Sequence, residues 1–152
     1  PVTEKEYIQS PKISHKLNNS SNLIADHNPR FHNQRDIKIF KDWVINDMNK
    51  LSTKDKIKFY NNRTGKTSNH NKYRNIEWNR PSPTIVAHLY KDGLMFIHPD
   101  PKQARSITVR EAATLQSFDN DFKFTGKMGI DYKMIGNVIT KAFLRNKFIQ
   151  RS

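Results

Sequence analysis

Cysteine is absent from this sequence of 152 residues. Without thiols the chain forms no disulfide framework and no zinc ribbon, and it has no thiolate to act as a nucleophile. Long apolar runs are missing too: 35% of the residues are hydrophobic, and no run approaches the roughly 18 residues of a membrane span or looks like a signal peptide. We therefore expect one domain with a modest core and, by default, a cytosolic location.

Acidic residues are scarce relative to basic ones. The chain has 27 Lys and Arg against 14 Asp and Glu, a net charge of +13 and a pI near 10.0. Such an excess is typical of proteins that bind nucleic acid or an anionic surface. The alternative is a lysine-rich, solvated face. The first residue is Pro1 rather than methionine, so we expect a piece of a longer chain.

The N-terminal part is polar and is predicted to be loop or linker over residues 1–26, with a low-complexity patch at 18–22. His27 and His32 follow, five positions apart. No third ligand stands near them at helical spacing, so we predict a turn entering a helix rather than a metal site.

Helical periodicity begins after this turn, and residues 33–60 are predicted to be helical. Asn33 is expected to cap a helix over 34–50, and Ser52 with Asp55 signals a second, short helix through Tyr60. The predicted apolar face of the first helix contains Ile37, Phe40, Val44 and Met48, with Trp43 at its border.

The next segment, 61–79, has no apolar periodicity and many basic, amide and hydroxyl side chains. Residues 54–80 hold eight basic and two acidic side chains, a net charge of +6. The stretch from Arg63 to Thr67 resembles half a phosphate-binding loop, but its first glycine and a preceding strand are missing, so nucleotide binding is rejected. Arginine, asparagine and threonine read base edges, and lysine neutralises phosphates. These side chains suit either a DNA-facing loop or a plain surface loop, and the family resemblance described below is what favours the DNA-facing loop.

Two β-branched and aromatic runs, 84–90 and 94–98, are joined by Lys-Asp-Gly at 91–93. Asp-Gly between such runs predicts a β-hairpin, because glycine tolerates the positive φ of a tight turn.

Two helices are predicted in the last third of the chain. Thr108 and Glu111 have the spacing of a capping box, with Ala112, Leu115 and Phe118 on one face of the helix that follows. A C-terminal helix over about 131–149 carries a long apolar stripe, formed by Ile135, Val138, Ile139, Ala142 and Phe143.

The residues in these helices carry a family resemblance. Thr-Val-Arg-Glu-Ala-Ala-Thr-Leu-Gln-Ser-Phe (108–118) resembles the ninth motif of bacterial DNA cytosine-5 methyltransferases, and Tyr-Lys-Met-Ile-Gly-Asn-Val-Ile (132–139) resembles the tenth. Residues 80–89 and 96–101 are similar to the lead-in to the ninth motif. Two positions depart from the pattern: Met134 stands where the family usually has glutamine, and Asp119 where it has proline. The first departure concerns a contact near the cofactor, and the second concerns only a turn.

The resemblance implies roles for specific residues. Those expected to contact double-stranded DNA are Arg63, Thr64, Lys66, Thr67, Lys72, Arg74 and Arg80. Thr108, Arg110 and Glu111 would brace the recognition region against a catalytic domain. Asn137, Val138 and Ile139 would form one wall of an S-adenosylmethionine pocket. The family attacks a flipped cytosine with a cysteine thiolate. This chain has no cysteine, so we expect no catalytic residue and no metal site in it.

The resulting prediction is an α+β fold. An irregular target-recognition domain with helices and a β-hairpin would precede a C-terminal helix belonging to an absent Rossmann-like catalytic domain. The predicted divisions are 1–79 for target recognition, 80–128 for the hairpin and ninth motif, and 129–152 for the tenth motif. The parent would be a bacterial, cytoplasmic enzyme of restriction–modification. The alternatives are a non-enzymatic DNA-binding module and one subunit of a split methyltransferase.

Overall fold

The computed structural model of the protein describes residues 24–91 and 93–138. Within these ranges the regular structure is helical, and no residue belongs to an extended strand. The elements are α1 (Gln34–Ile45), a 3-10 helix (Met48–Lys50), α2 (Thr53–Thr64), α3 (Val109–Leu115) and α4 (Met128–Asn137). None of the helices in these ranges is long and apolar enough to cross a membrane. The β part of the predicted α+β class is therefore absent from the described residues.

The chain divides into two compact units. The described part of unit 1 consists of residues 24–28, 84–91 and 108–138, and that of unit 2 consists of residues 29–83 and 93–107. Each unit has its own buried side chains and is described separately below.

Unit 2 begins with α1, whose first turn is capped as predicted: the Asn33 side chain accepts a hydrogen bond from the Asp36 amide at 2.9 Å. The helix ends at Ile45 rather than near residue 50, because Asp47 adopts a left-handed backbone with φ of 49°. The buried face of α1 is rotated about the helix axis relative to the predicted apolar face. Trp43, expected at its border, is fully buried, whereas Ile37 is only partly buried.

The core of unit 2 is aromatic. The Trp43 ring lies 5.6 Å from Phe59 and 5.4 Å from Tyr73, measured between ring centroids. Aromatic pairs at such distances stabilise a core beyond the area that they bury. The buried cluster consists of Ile39, Phe40, Trp43, Tyr73 and Ile97, with Val44, Met48, Phe59, Tyr60 and Leu94 packed against it.

Helix α2 confirms the second capping signal, since the Ser52 side chain accepts from the Asp55 amide at 3.2 Å. The helix continues four residues beyond the predicted end at Tyr60. Gly65 explains the extension: its φ of 67° gives the left-handed C-cap, which glycine adopts without steric cost, and its amide donates to the Asn61 carbonyl.

The predicted hairpin between 84–90 and 94–98 is wrong. Residues 87–91 form turns, and the segment 94–98 pairs elsewhere in unit 2. Ile97 makes a parallel bridge with Asn75 and an antiparallel bridge with Ser106. The Ile97 amide donates to Arg74 at 3.0 Å, and the Ile107 amide donates to Phe96 at 2.9 Å. The segment 94–98 is thus hydrogen-bonded along both of its edges to residues that are distant in sequence. The sequence of the local turn does not indicate these partners.

His32 precedes the cap of α1 and is partly buried in unit 2. Its Nε2 accepts a hydrogen bond from the Ser106 amide at 3.2 Å, and its ring meets Phe40 edge-on at 4.9 Å. Burial, followed by the positive charge of Arg30, lowers the pKa of His32 below its ordinary value. A neutral ring is the form that can accept the Ser106 hydrogen bond.

Unit 1 contains α3 and α4, which pack against each other. The predicted capping box is confirmed at α3: the Thr108 side chain accepts from the Glu111 amide, and Glu111 accepts from the Thr108 amide at 2.8 Å. Helix α3 is short, ending at Leu115. Phe118 therefore lies beyond it, in a cluster with the rings of Phe122 and Phe124.

Helix α4 starts at Met128, three residues earlier than predicted. Buried Asp131 in its first turn accepts from both the amide and the hydroxyl of Thr125, at 3.0 and 2.7 Å. From the predicted stripe, Ile135 is fully buried and Val138 is 38% exposed. Ile139, Ala142 and Phe143 lie outside the described residues.

Gly136 lets α4 approach the backbone of residues 86–87 closely. A Cβ atom at this position would lie 2.5 Å from the Val86 carbonyl oxygen and 2.8 Å from the Ala87 Cα. Gly129, in the same helix, has no atom within 4 Å of the corresponding point.

We predict that Gly136→Ala lowers the free energy of unfolding by about 1–3 kcal/mol, since the added methyl group meets rigid backbone. Gly129→Ala is the matched control and should be neutral or stabilising by up to about 1 kcal/mol, because alanine is the better helix former. Chemical denaturation of both variants measures the difference. Equal stabilities would show that α4 does not pack on residues 86–87.

Candidate functional site

The predicted DNA-contacting residues all lie in unit 2, on the end of α2 and the segment after it. Their side chains differ in availability. Arg63 pairs with Asp42 at 2.8 Å and lies over the Phe59 ring, and Thr64 donates to the Tyr60 carbonyl at 2.8 Å. Arg63 therefore joins α2 to α1, and Thr64 closes the last turn of α2.

The other predicted DNA-contacting residues are more accessible. Lys66, Thr67 and Arg74 are exposed, and Lys72 is partly buried. Arg80 is exposed along 71% of its side chain, and its Nε lies 3.2 Å from Glu77 Oε2. The basic segment thus presents several cations to solvent, as expected for a surface that meets a polyanion.

Asn49 fixes the backbone of the segment that leads to Arg80. Its Nδ2 donates to the Asn75 carbonyl and to Glu77 Oε1, both at 2.9 Å, and its Oδ1 accepts from the Asn75 amide at 3.2 Å. The same Oδ1 accepts from the indole nitrogen of buried Trp43 at 3.0 Å. One side-chain amide therefore connects the aromatic core to the exposed segment. We name these hydrogen bonds the Asn49 clamp.

A shallow groove of about 350 Å³ opens beside the clamp, in unit 2. Residues 75–80 and Pro99 line it. Trp78 is 57% exposed at this groove, whereas Trp43, the other tryptophan of the chain, is fully buried.

In unit 1, Arg110 connects α3 to two other stretches of the chain. Its guanidinium donates to the Asp26 carboxylate at 2.9 Å and to the carbonyls of Ala25 at 3.1 Å and Phe122 at 2.8 Å. It also lies 5.0 Å from the centroid of the Phe124 ring. The Arg110 side chain is 3% exposed. A planar group with five donors suits this role, because lysine cannot reach several acceptors in fixed directions.

The capping box of α3 includes a buried histidine. His27 Nδ1 lies 2.7 Å from Thr108 Oγ1, and His27 Nε2 lies 3.8 Å from Glu111 Oε1. All three side chains are almost inaccessible to solvent. His27 thus belongs to the structure of unit 1, whereas His32 belongs to unit 2. In residues 24–91 and 93–138, no group of three or more histidine and carboxylate side chains could hold a metal ion.

The end of α4 is tied to the ninth-motif stretch by Gln116. Its buried side-chain amide donates to the carbonyls of Ile135 at 3.3 Å and Val138 at 3.5 Å. Asn137 and Val138, two of the three residues predicted to line a cofactor pocket, are exposed at this end. Ile139, the third, lies outside the described residues.

Comparison with known proteins identifies the family. The family model described as C-5 cytosine-specific DNA methylase matches residues 3–147. The chain belongs to this family. No solved structure matches the chain.

Individual DNA methylases match a shorter part of the chain. The type II methyltransferase M.Bpa9945I of Bacillus paralicheniformis is 47% identical over 62 residues, which are 41% of this chain and 14% of that protein. M.AgeI of Thalassovita gelatinovora is 42% identical over 69 residues, 45% of this chain and 16% of that protein. M.AquIB of Picosynechococcus is 48% identical over 54 residues, 36% of this chain and 35% of that protein. The matches thus span a small part of most of these methyltransferases.

The two positions that depart from the methylase pattern both lie in the described part of unit 1. Asp119 replaces the usual proline, yet the turn still forms, with the Phe122 amide donating to the Asp119 carbonyl at 3.0 Å. Met134 is partly buried within α4, and its side chain makes no polar contact that is seen among the described residues.

Several residues of this chain have roles that the sequence did not indicate. Four polar side chains either join segments that are far apart in sequence or cap a turn. They belong to Asn49, Gln116, Asp131 and His27. They are polar and isolated in otherwise ordinary stretches, so periodicity gives no signal for them. Arg110 could be singled out from the sequence because it lies in the stretch that resembles the ninth motif.

We predict that Arg110→Lys lowers the free energy of unfolding by about 2–4 kcal/mol, because buried acceptors lose their donors. Arg63→Lys is the matched control: its pair with Asp42 is 49% and 38% exposed, and exposed pairs contribute about 0–1 kcal/mol. Thermal and chemical denaturation measure both. If the two substitutions cost the same, the role of Arg110 as the connecting group of unit 1 is wrong.

Proposed function

We propose that this chain supplies the DNA-recognition segment and the ninth and tenth motifs of a DNA cytosine-5 methyltransferase. The observation that carries the proposal is the combination of family membership over residues 3–147 with a basic segment whose cations are exposed. The parent enzyme transfers a methyl group from S-adenosylmethionine to a flipped cytosine in duplex DNA, in restriction–modification.

The proposed chemistry requires a second component. The family begins by adding a cysteine thiolate to the cytosine ring, because C5 is a poor nucleophile until C6 is attacked. This chain has no cysteine, so the nucleophile must come from a catalytic domain, either in the same protein or in a separate subunit. The chain alone is proposed to be inactive.

S-adenosylmethionine would meet this chain at the end of α4. Asn137 and Val138 are exposed there, and Gln116 holds the carbonyl of Val138. An exposed amide beside an exposed aliphatic side chain suits one wall of a pocket for a polar cofactor with apolar parts. When bound, the cofactor supplies the methyl group; this chain only shapes part of its pocket.

The ninth-motif residues Thr108, Arg110 and Glu111 are proposed to brace the recognition region against the catalytic domain. Thr108 and Glu111 form a fully buried capping box, and Arg110 is buried with several acceptors. Buried groups of this kind are poorly placed to contact DNA directly, which favours a bracing role.

A split enzyme is the second form of the proposal. The matched stretch makes up 35% of M.AquIB but 14% of M.Bpa9945I, so M.AquIB is a much shorter protein. A short relative with this segment is compatible with a subunit that works with a separate catalytic chain.

We predict that the chain binds duplex DNA weakly, with a log–log salt slope of about −4 to −5, corresponding to roughly four to six phosphates. Replacing Lys66, Lys72 and Arg74 by alanine should flatten the slope by about one unit for each phosphate that is no longer neutralised. Fluorescence anisotropy with labelled mixed-sequence duplex over a range of salt concentrations measures the slope.

The control removes the same charge from unit 1, through alanine substitutions of Lys123, Lys127 and Lys133, which are all exposed. This variant should keep the slope of the wild-type chain. Equal flattening by both triple substitutions would attribute the affinity to net charge alone. A slope unchanged by the first triple would place the DNA-binding surface elsewhere.

A further inference from the structure

The groove beside residues 75–80 combines features of a binding site for a flat aromatic ligand. Its volume of about 350 Å³ lies near the lower end of small-ligand sites. Trp78 leaves 57% of its surface in water at this groove, so its indole is accessible to a ligand. The ring is nevertheless held in position, since its centroid lies 5.7 Å from that of buried His98, edge to face.

Arg80 is oriented for recognition by its carboxylate partner. Glu77 Oε2 contacts the Nε of the guanidinium, and Glu77 Oε1 is itself held by Asn49. Because the carboxylate contact is on the Nε side, the edge formed by the two terminal nitrogens remains available, and 71% of the side chain is exposed. That edge matches the O6 and N7 acceptors of guanine, the commonest base contact of arginine in the major groove.

The scaffold beneath this pair of side chains is rigid. The Asn49 clamp joins Asn75 and Glu77 to the core residue Trp43. The amide of Ile76 also donates to Ile97 at 2.9 Å. A reading surface built on fixed backbone loses little entropy on binding.

One acceptor in the groove lining has no partner among the described residues. Asn75 Oδ1 is buried and accepts no hydrogen bond, although the Asn75 Nδ2 donates to the Ile76 carbonyl at 2.9 Å. A buried acceptor without a donor is unfavourable, so the Asn75 side chain keeps its orientation at some cost in stability.

We propose that this groove is the base-reading part of the chain, with Arg80 contacting a guanine and Trp78 packing against the neighbouring base. This inference rests on the proposed function, because it requires that unit 2 contact DNA. It adds that Trp78 and Arg80 give sequence preference, whereas Lys66, Lys72 and Arg74 give affinity for any sequence. Contacts to phosphates carry no sequence information, whereas an exposed indole can make an apolar contact with a base edge.

The test starts by selecting preferred duplexes from a randomised pool with the wild-type chain. The preferred sequence should contain an essential guanine. Replacing this guanine by 7-deazaguanine, which lacks the N7 acceptor, should weaken binding severalfold, and by less than the roughly 150-fold of a complete bidentate contact, because the O6 contact remains. Arg80→Ala should abolish this sensitivity, whereas Arg74→Ala, the matched control at another exposed arginine, should retain it.

Trp78 is tested separately. Trp78→Ala should weaken binding to the selected duplex severalfold, because the indole no longer makes its apolar contact with the edge of the neighbouring base. Since Trp43 is buried, quenching of tryptophan emission on addition of DNA should disappear in this variant. Circular dichroism confirms that the variants fold, which their exposed positions favour.

The outcomes separate the two proposals. If the chain binds no DNA, both the proposed function and the base-reading groove are wrong. If binding is salt-dependent but indifferent to sequence, to 7-deazaguanine and to Trp78, DNA binding stands and the groove proposal is overturned. The groove would then be a surface for another part of the protein.

Discussion

The buried guanidinium of Arg110 is the constraint on which unit 1 depends. Most of the described part of this unit is irregular chain, and irregular backbone needs hydrogen-bond partners that helices and sheets would otherwise provide. Arg110 provides donors to Asp26, Ala25 and Phe122, and it packs beside Phe124. Without this group, the short helix α3 would have only its capping box and a few apolar neighbours to hold the stretches around it.

In unit 2, the side-chain amide of Asn49 provides hydrogen bonds to irregular backbone. Asn49 satisfies the backbone of Asn75, the carboxylate of Glu77 and the indole of Trp43. An aromatic core stabilises the unit, and the surface of the unit presents cations and an exposed tryptophan. A protein that must present charged and aromatic groups in fixed positions needs such internal hydrogen bonds, because salt and solvent weaken exposed ion pairs.

The sequence predicted the features that depend on neighbours along the chain. The caps formed by Asn33, Ser52 and Thr108 involve residues three apart, and each is present. Family membership was also recognisable, from the motifs around residues 108–118 and 132–139. These patterns involve residues that are close together in the sequence, so they can be recognised from the sequence alone.

What the sequence could not reveal depends on distant partners. The Asp-Gly turn signal suggested a hairpin, but Ile97 pairs with Asn75 and Ser106 instead. Nothing local specified that Gly136 must pass close to Val86, or that Asn49 would reach Glu77. The polar residues that fix the candidate site were missed for the same reason, since their importance comes from long-range interactions and not from spacing.

The central claim is that this chain recognises DNA for a methyltransferase whose nucleophile lies elsewhere. The most direct measurement is methyl transfer from labelled S-adenosylmethionine to duplex DNA, with this chain alone, with a catalytic chain of the family that carries the cysteine and the cofactor loop, and with both together. We expect incorporation into cytosine only when both are present, at a defined sequence. Incorporation by this chain alone, or by the catalytic chain at the same rate and sites without it, would show that this chain does not recognise DNA for the methyltransferase.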